Sequence, residues 1–310
     1  MMKKVLIASK TCRHTLPEKD LCSLFRNEGL EPVLESLEQC SKPNQFDGIV
    51  IGTEIMNAAI MDKMSRLRII CKFGVGIDNI DSIAADKRGI IVRNLPGINR
   101  ESVALMALAL MLASARRISV SDRMVRTNQW PRLIATNIVG GTLGIMGTGS
   151  IGCTLAAFVN GLDMKLLGWD AVVNPDFIAL GGKYVSLPEL LNQSDCISLH
   201  LPLTEDTMDI LDEKEFNSMR SNVTIVNTAR GKLINEEALY RFLTKNPGAS
   251  AGLDVLACEP PEKSPLLKLP NVTITPHIAA YDQQTLEHMV NTCIKILHDY
   301  LVPLDNRELS

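Results

Sequence analysis

TLGIMGTGSIG, residues 142–152, decides how the rest of this chain is read. An apolar, strand-like run ends in Gly147-x-Gly149-x-x-Gly152, and a helix-like segment (150–160) follows. In a strand–turn–helix, the first glycine permits the tight turn. The second lets a pyrophosphate approach the backbone, and the third lets the helix pack closely on the strand. The helix start supplies free N–H groups and a partial positive charge to phosphates. The next strand-like run, MKLLGWD, ends in Asp170, eighteen residues beyond Gly152. A carboxylate there accepts hydrogen bonds from both hydroxyls of a ribose; the plainer alternative is a solvated aspartate at a strand end. It also repels a 2′-phosphate, and AVVNPDF (171–177) offers no arginine or lysine. NAD rather than NADP is the expected cofactor.

Outward from this stretch, short apolar runs alternate with helical patterns. VLIA (5–8), GIVIG (48–52), RIICK (68–72) and IIV (90–92) read as strands, with helices around 20–27, 57–64 and 81–88. A second series has strands at 142–147, 164–169, 195–199, 223–227, 250–253 and 272–274. The alternation implies βαβ units and parallel sheets, and the second series supplies the six strands of a dinucleotide-binding sheet. Runs with little polar alternation, such as LGIMG and VTIVN, imply burial on both faces. One long helix is expected over 100–127 and another over 282–301. The expected fold is α/β, with two Rossmann-like doubly wound domains. An NAD-binding domain, 99–283, is inserted into a flavodoxin-like substrate domain, 1–98 plus 284–310. A cleft between domains is a usual place for a small-molecule site.

Composition excludes other classes. The 310 residues are 46% hydrophobic and 22% charged, an ordinary globular balance for two domains. A net charge of −3 provides no global basic field for nucleic acid or an anionic membrane. No run of about 18 apolar residues is present to span a bilayer, and the apolar run after MMKK is too short for a signal-peptide core. The eight cysteines are scattered and form no C-x-x-C pair. They read as reduced thiols in a cytoplasmic protein, without metal-ligand spacing.

Three further stretches end strand-like runs with chemically useful residues: NTARG (227–231), DVLACEPP (254–261) and TPHIAA (275–280). They bring Arg230, Glu259 and His277 to one sheet edge, where an arginine fixes an anion and a histidine with a carboxylate moves a proton. Singly, each has a bland reading: a solvated turn, a loop start and a structural histidine.

The ordered motifs FGVGIDNID (73–81), NLPGIN (94–99), the glycine turn with WD (169–170), HLPLTEDT (200–207), NTARG, LDVLACEP and TPHIA resemble the D-isomer-specific 2-hydroxyacid dehydrogenases, in particular the phosphoglycerate dehydrogenase-like branch. The resemblance implies NAD-dependent hydride transfer to or from a small 2-keto or 2-hydroxy acid, phosphorylated or of the glyoxylate and hydroxypyruvate type. It implies that Arg230 grips the substrate carboxylate and carbonyl oxygen, and that His277 gives or takes the proton. Glu259 pairs with the imidazolium and raises its pKa. It places Ser150 and Ile151 on the cofactor phosphates, with His200, Pro202 and Thr207 along the adenosine. Thr228, Ala229, Asp254 and the backbone from His277 to Ala280 lie near the nicotinamide; turn capping is the plain alternative for Asp254. It places Val75, Gly76 and Asn99 at the substrate. It also implies a homodimer through the central helical region and the Trp130 segment, with Arg132 reaching a neighbouring subunit.

The chain departs from the family pattern in three places. Leu105 stands where the family usually has a glutamate. The turn after the third strand reads GTE, with Gly52 and Glu54 where phosphoglycerate enzymes often carry a phosphate-gripping arginine. The sequence ends about thirty residues after His277, so feedback control through a C-terminal extension is not expected. Glu259 argues against a formate dehydrogenase, which uses glutamine there. A different class on the same fold is an NAD-sensing corepressor-like binding protein, which keeps the same trio.

Overall fold

The computed structural model describes residues 2–302. Contacts divide the chain into two compact units, Met1–Asn99 with Ala280–Ser310, and Arg100–Ala279. The division lies within a few residues of the boundaries read from sequence. The return to the first unit comes earlier, because Tyr281 already hydrogen-bonds Thr11 through its hydroxyl and Gln283 reaches the Thr15 carbonyl. Residues 303–310 of the expected 284–310 segment lie outside the described residues.

The first unit holds β1 (Lys3–Ile7), β2 (Leu30–Val33), β3 (Gly48–Ile51), β4 (Ile69–Lys72) and β5 (Ile91–Arg93), all parallel in the order β2-β1-β3-β4-β5. This is the doubly wound 2-1-3-4-5 arrangement. Its two faces explain the unbroken apolar runs. Val5 and Ile7 pack with Val290, Cys293 and Leu297 of the helix Gln283–Leu301, while Leu6, Ile49 and Ile51 pack with Met61, Met64 and Ala84 on the other side. Strand β2 was not read from the sequence. Its residues, LEPV, include a proline that cannot donate to a ladder, and β2 is accordingly an edge strand.

The second unit holds β6 (Thr142–Met146), β7 (Lys165–Trp169), β8 (Lys183–Tyr184), β9 (Cys196–Leu199), β10 (Thr224–Asn227), β11 (Ser250–Leu253) and β12 (Val272–Ile274). The order is β12-β11-β10-β9-β6-β7-β8, all parallel. The sheet therefore reverses between β6 and β9, the switch point where such sheets bind ligands. Seven strands replace the expected six because β8, only two residues long, carries no periodic signal. Met146, Leu199 and Ile225 pack on Leu239 and Leu243, whereas Ile145, Cys196 and Val226 pack on Leu110, Met111 and Leu155.

The single helix expected over 100–127 is corrected to two, Arg100–Ala115 and Ile118–Arg126, bent by 61°. Arg117 breaks it with a left-handed φ of 58°, and its guanidinium donates to the Pro247 and Gly248 carbonyls. Among the described residues no single helix is long and apolar enough to cross a membrane.

Candidate active site

The glycine turn sits at the end of β6. Gly147 adopts a φ of 96°. A side chain on Gly152 would place its Cβ 2.2 Å from the Gly147 carbonyl oxygen, so only glycine lets the helix Ser150–Phe158 start against the turn. Gly149 is that helix's N-cap, and a Cβ there would meet nothing within 4 Å. The first-turn N–H groups of Ser150, Ile151 and Gly152 thus emerge beside open space, without intrahelical acceptors. The turn is sewn to its neighbours: Gly147 donates to the Trp169 carbonyl (2.9 Å) and His200 to the Met146 carbonyl (2.7 Å). Asp170, next after β7, accepts from the Thr148 N–H at 2.7 Å.

Two buried polar atoms at this edge, His200 Nδ1 and Thr228 Oγ1, have no partner among the described residues. His200 Nε2 lies 2.9 Å from Ser198 Oγ, and burial pushes its pKa down to about 4, so the ring is neutral at pH 7. A turn with an open side, free helix N–H groups and orphaned polar atoms fits a polar dinucleotide. Thr207 is committed to its own loop: its hydroxyl donates to the Pro202 carbonyl (2.7 Å) and accepts the Thr204 N–H (2.8 Å). Pro202 itself is exposed.

The structure brings Arg230, Glu259 and His277 together. Asn227 shapes the turn before Arg230, its side chain accepting the Ala229 N–H (2.9 Å) and donating to the Arg230 carbonyl (2.8 Å). Gly231 is packed against the 256–257 backbone; a Cβ there would fall 1.9 Å from the Leu256 carbonyl carbon. This approach sets the Arg230 turn against the loop that carries Glu259. Glu259 Oε1 accepts the Leu256 N–H (3.1 Å), and Oε2 lies 2.7 Å from His277 Nδ1. The carboxylate can only accept, so Nδ1 carries the proton and Nε2 is the nitrogen left for exchange. Both side chains keep solvent access, 41% for His277 and 37% for Glu259.

Burial pushes the Glu259 carboxyl up. The His277 hydrogen bond and charge, the Leu256 N–H and the Arg230 charge all pull it down, and the net position is below its ordinary value. The carboxylate therefore stays ionised as pH falls until that lowered value is reached.

Asp254 is fully buried, and its carboxylate accepts Thr275 Oγ1 (2.5 Å), Ile278 N–H (2.9 Å) and Ala279 N–H (2.8 Å). Its backbone carbonyl accepts the His277 N–H at 2.9 Å. Asp254 thus anchors the loop that holds His277 at a left-handed φ of 53°, which is the turn-capping alternative. Ala280, expected near the nicotinamide, is the first residue of the segment returning to the first unit. Glu236 was not singled out in the sequence, where it is one acid in a helix's first turn. It braces the same region by accepting the Ala257 N–H (2.7 Å) and Ser264 Oγ (2.5 Å).

Val75, Gly76 and Asn99 belong to the first unit. The 73–81 loop follows β4 and is tied down by Asn94, whose amide donates to the Val75 carbonyl (2.6 Å). Asn79 donates to the Gly52 carbonyl (3.0 Å) and the Glu54 carbonyl (2.5 Å), joining this loop to the turn after β3. In that turn the Glu54 carboxylate accepts the Gly52 N–H at 2.5 Å. The buried Lys72 ammonium donates to Asn79 Oδ1 (2.7 Å) and to the Gly52 carbonyl. Asn99 Oδ1 is buried without a partner among the described residues.

A sequence model of the D-isomer specific 2-hydroxyacid dehydrogenase NAD binding domain matches residues 108–279. The chain belongs to that family. It is 39% identical over 266 residues to a glyoxylate reductase of Korarchaeum cryptofilum, covering 83% of this chain and 78% of that protein. It is 39% identical over 305 residues to a D-3-phosphoglycerate dehydrogenase of Archaeoglobus fulgidus, covering 96% of this chain but 56% of that one. A D-lactate dehydrogenase of Aquifex aeolicus, complexed with NAD and lactic acid, superposes with a TM-score of 0.83 at 28% identity, covering 95% and 94% of the two chains. The chain is thus an NAD-dependent oxidoreductase of 2-hydroxy acids. The family, fold class and cofactor expected from its motifs stand.

Proposed function

We propose that the protein interconverts a short, unphosphorylated 2-keto acid and its D-2-hydroxy acid, of the glyoxylate or hydroxypyruvate type. The observation that carries the chemistry is the 2.7 Å pair of His277 Nδ1 and Glu259 Oε2 beside Arg230, at the same sheet edge as the glycine turn. In reduction, Arg230 holds the substrate carboxylate and polarises the carbonyl with its paired donors. His277 Nε2 gives its proton to the carbonyl oxygen, and Glu259 stabilises the imidazolium before transfer. Bound NADH supplies the hydride to the carbonyl carbon. In the reverse direction His277 takes the hydroxyl proton.

The cofactor roles proposed for the chain's own residues follow from placement. The N–H groups of Ser150 and Ile151 take the phosphates, Asp170 the ribose diol, and His200 and Thr228 the adjoining polar atoms. Val75 and Gly76 N–H groups are proposed as an anion contact, since among the described residues neither donates to a backbone carbonyl. Glu54 sits beside this loop. Its charge disfavours a phosphate, which carries about −1.5 to −2 at pH 7. The relative named glyoxylate reductase supports the same choice.

NADH consumption with glyoxylate, hydroxypyruvate and phosphohydroxypyruvate tests this. The two unphosphorylated acids should show the higher kcat/KM. A preference for phosphohydroxypyruvate reverses the substrate assignment in favour of the phosphoglycerate type, and no turnover with any of the three removes the proposed substrate class. We also propose a homodimer. Trp130 is 79% and Ile134 94% exposed on an irregular segment next to Ile118 and Val125, which are also exposed. Sedimentation equilibrium should give twice the chain mass; a monomer at micromolar concentration refutes it.

A further inference from the structure

Asp170 is held by a chain of hydrogen bonds whose direction is determined by chemistry. Its Oδ2 accepts the Thr148 N–H (2.7 Å) and lies 3.3 Å from Thr148 Oγ1. Thr148 Oγ1 lies 2.5 Å from the Tyr184 hydroxyl, and the Tyr184 oxygen accepts the Asn174 N–H at 2.8 Å. A carboxylate only accepts, so Thr148 gives its one proton to Asp170. Tyr184 must then give its proton to Thr148. The order Asn174 N–H to Tyr184, Tyr184 to Thr148, Thr148 to Asp170 satisfies every group.

The chain closes into a ring. Asn174 Nδ2 donates to the Thr148 carbonyl (2.8 Å), and Asn174 Oδ1 accepts the Asp176 N–H (3.0 Å), which orients the amide. Tyr184 is steadied by an edge-on contact with buried Phe177, 5.4 Å between centroids at 70°. The exposed segment 171–173 is thereby tied at both ends to the glycine turn. Of the two carboxylate oxygens, Oδ2 is occupied by Thr148, while among the described residues Oδ1 meets only the Val172 N–H at 3.3 Å.

We infer that Thr148 and Tyr184 are positioning residues that set the preference for NAD over its 2′-phosphorylated counterpart. The inference rests on the proposed contact between Asp170 and the ribose diol. A carboxylate fixed by two donors presents Oδ1 in one place. Held through Oδ2 by Thr148, Asp170 cannot swing its charge away from a 2′-phosphate. The discrimination is therefore built by residues that need not touch the cofactor themselves.

Dissociation constants for NAD and NADP, measured by isothermal titration without substrate, test this on Thr148→Val, Thr148→Ser, Tyr184→Phe and Asp170→Ala. Removing a link should weaken NAD binding and narrow the NADP/NAD ratio by on the order of 3–10-fold, as for one hydrogen bond. Thr148→Ser keeps the hydroxyl and should stay near wild type. In turnover the loss should fall on the KM for NAD more than on kcat. A ratio unchanged within about twofold in Thr148→Val and Tyr184→Phe, with Asp170→Ala narrowing it, overturns the relay and leaves the Asp170 contact standing. A ratio unchanged in Asp170→Ala overturns both. Should Tyr184→Phe not fold, the contrast of Thr148→Val with Thr148→Ser reads the same quantity.

Discussion

The C-terminal edges of the two parallel sheets are organised by opposite means. On the seven-stranded sheet, glycines and carboxylate acceptors hold the backbone: Gly152 and Gly231 admit close approaches, and Asp254 and Glu236 accept loop N–H groups. Reactive side chains then project from a frame that costs them nothing to maintain. On the five-stranded sheet, charged side chains themselves do the holding, with Lys72 bonded to both loops after β3 and β4 and Glu54 closing the turn after β3. The first edge separates scaffold from chemistry. In the second the groups that shape the loops also set its charge, so changing specificity there also changes structure.

That contrast can be broken or sharpened by substitution. The largest effect should follow His277→Ala, which removes the proposed acid and should cut kcat by about 10²–10⁴-fold, with the NAD dissociation constant near wild type. Unaltered kcat in stopped-flow assays removes His277 from the chemistry. Gly231→Ala comes next. Its Cβ would collide with the Leu256 backbone, so the melting temperature should fall with a destabilisation of about 1–3 kcal/mol. Displacing Arg230 from Glu259 should lower kcat/KM on the order of 10²-fold. A variant that is as stable and active as wild type means the two loops need not approach.

Glu259→Gln should act through pH. The folded Glu259 value lies below its ordinary one, so the pair's stabilisation is complete above the unfolded value and is lost as pH falls through the folded one. The variant should flatten this acid loss in a pH series of melting temperatures and should displace the kcat profile. Superimposable profiles would mean that Glu259 does not tune the histidine. The smallest effect is expected at the other edge. Glu54→Gln keeps an acceptor for the Gly52 N–H but removes the charge, and should raise kcat/KM for phosphohydroxypyruvate about 3–10-fold, as for one exposed charge interaction. An unchanged value would place Glu54 outside that substrate's reach, and a fall would overturn its role as a repelling charge.

Much of the architecture was legible because burial on both faces leaves a signal in the chain. VLIA, GIVIG and LGIMG are continuous apolar runs, and each is a central strand. Proline-bearing β2 and two-residue β8 lie at sheet edges, where one neighbour suffices and no such run is required. The helix break at Arg117 was hidden for a related reason. An arginine has no intrinsic preference for a left-handed φ, and its conformation is secured by carbonyls 130 and 131 residues away.

By itself the sequence determined the two βαβ series, the glycine turn with its acidic partner, and the three strand-end residues Arg230, Glu259 and His277. Each is written locally, since a turn, a strand run or a helix start depends on neighbours a few positions apart. Only the tertiary structure decided that Asp254 anchors the His277 loop, that Gly231 joins the Arg230 and Glu259 loops, and that Thr148 and Tyr184 orient Asp170. Those outcomes depend on which strand ends become neighbours. A hydrogen bond spanning 36 positions, as between Thr148 and Tyr184, has no local pattern until the sheet is assembled.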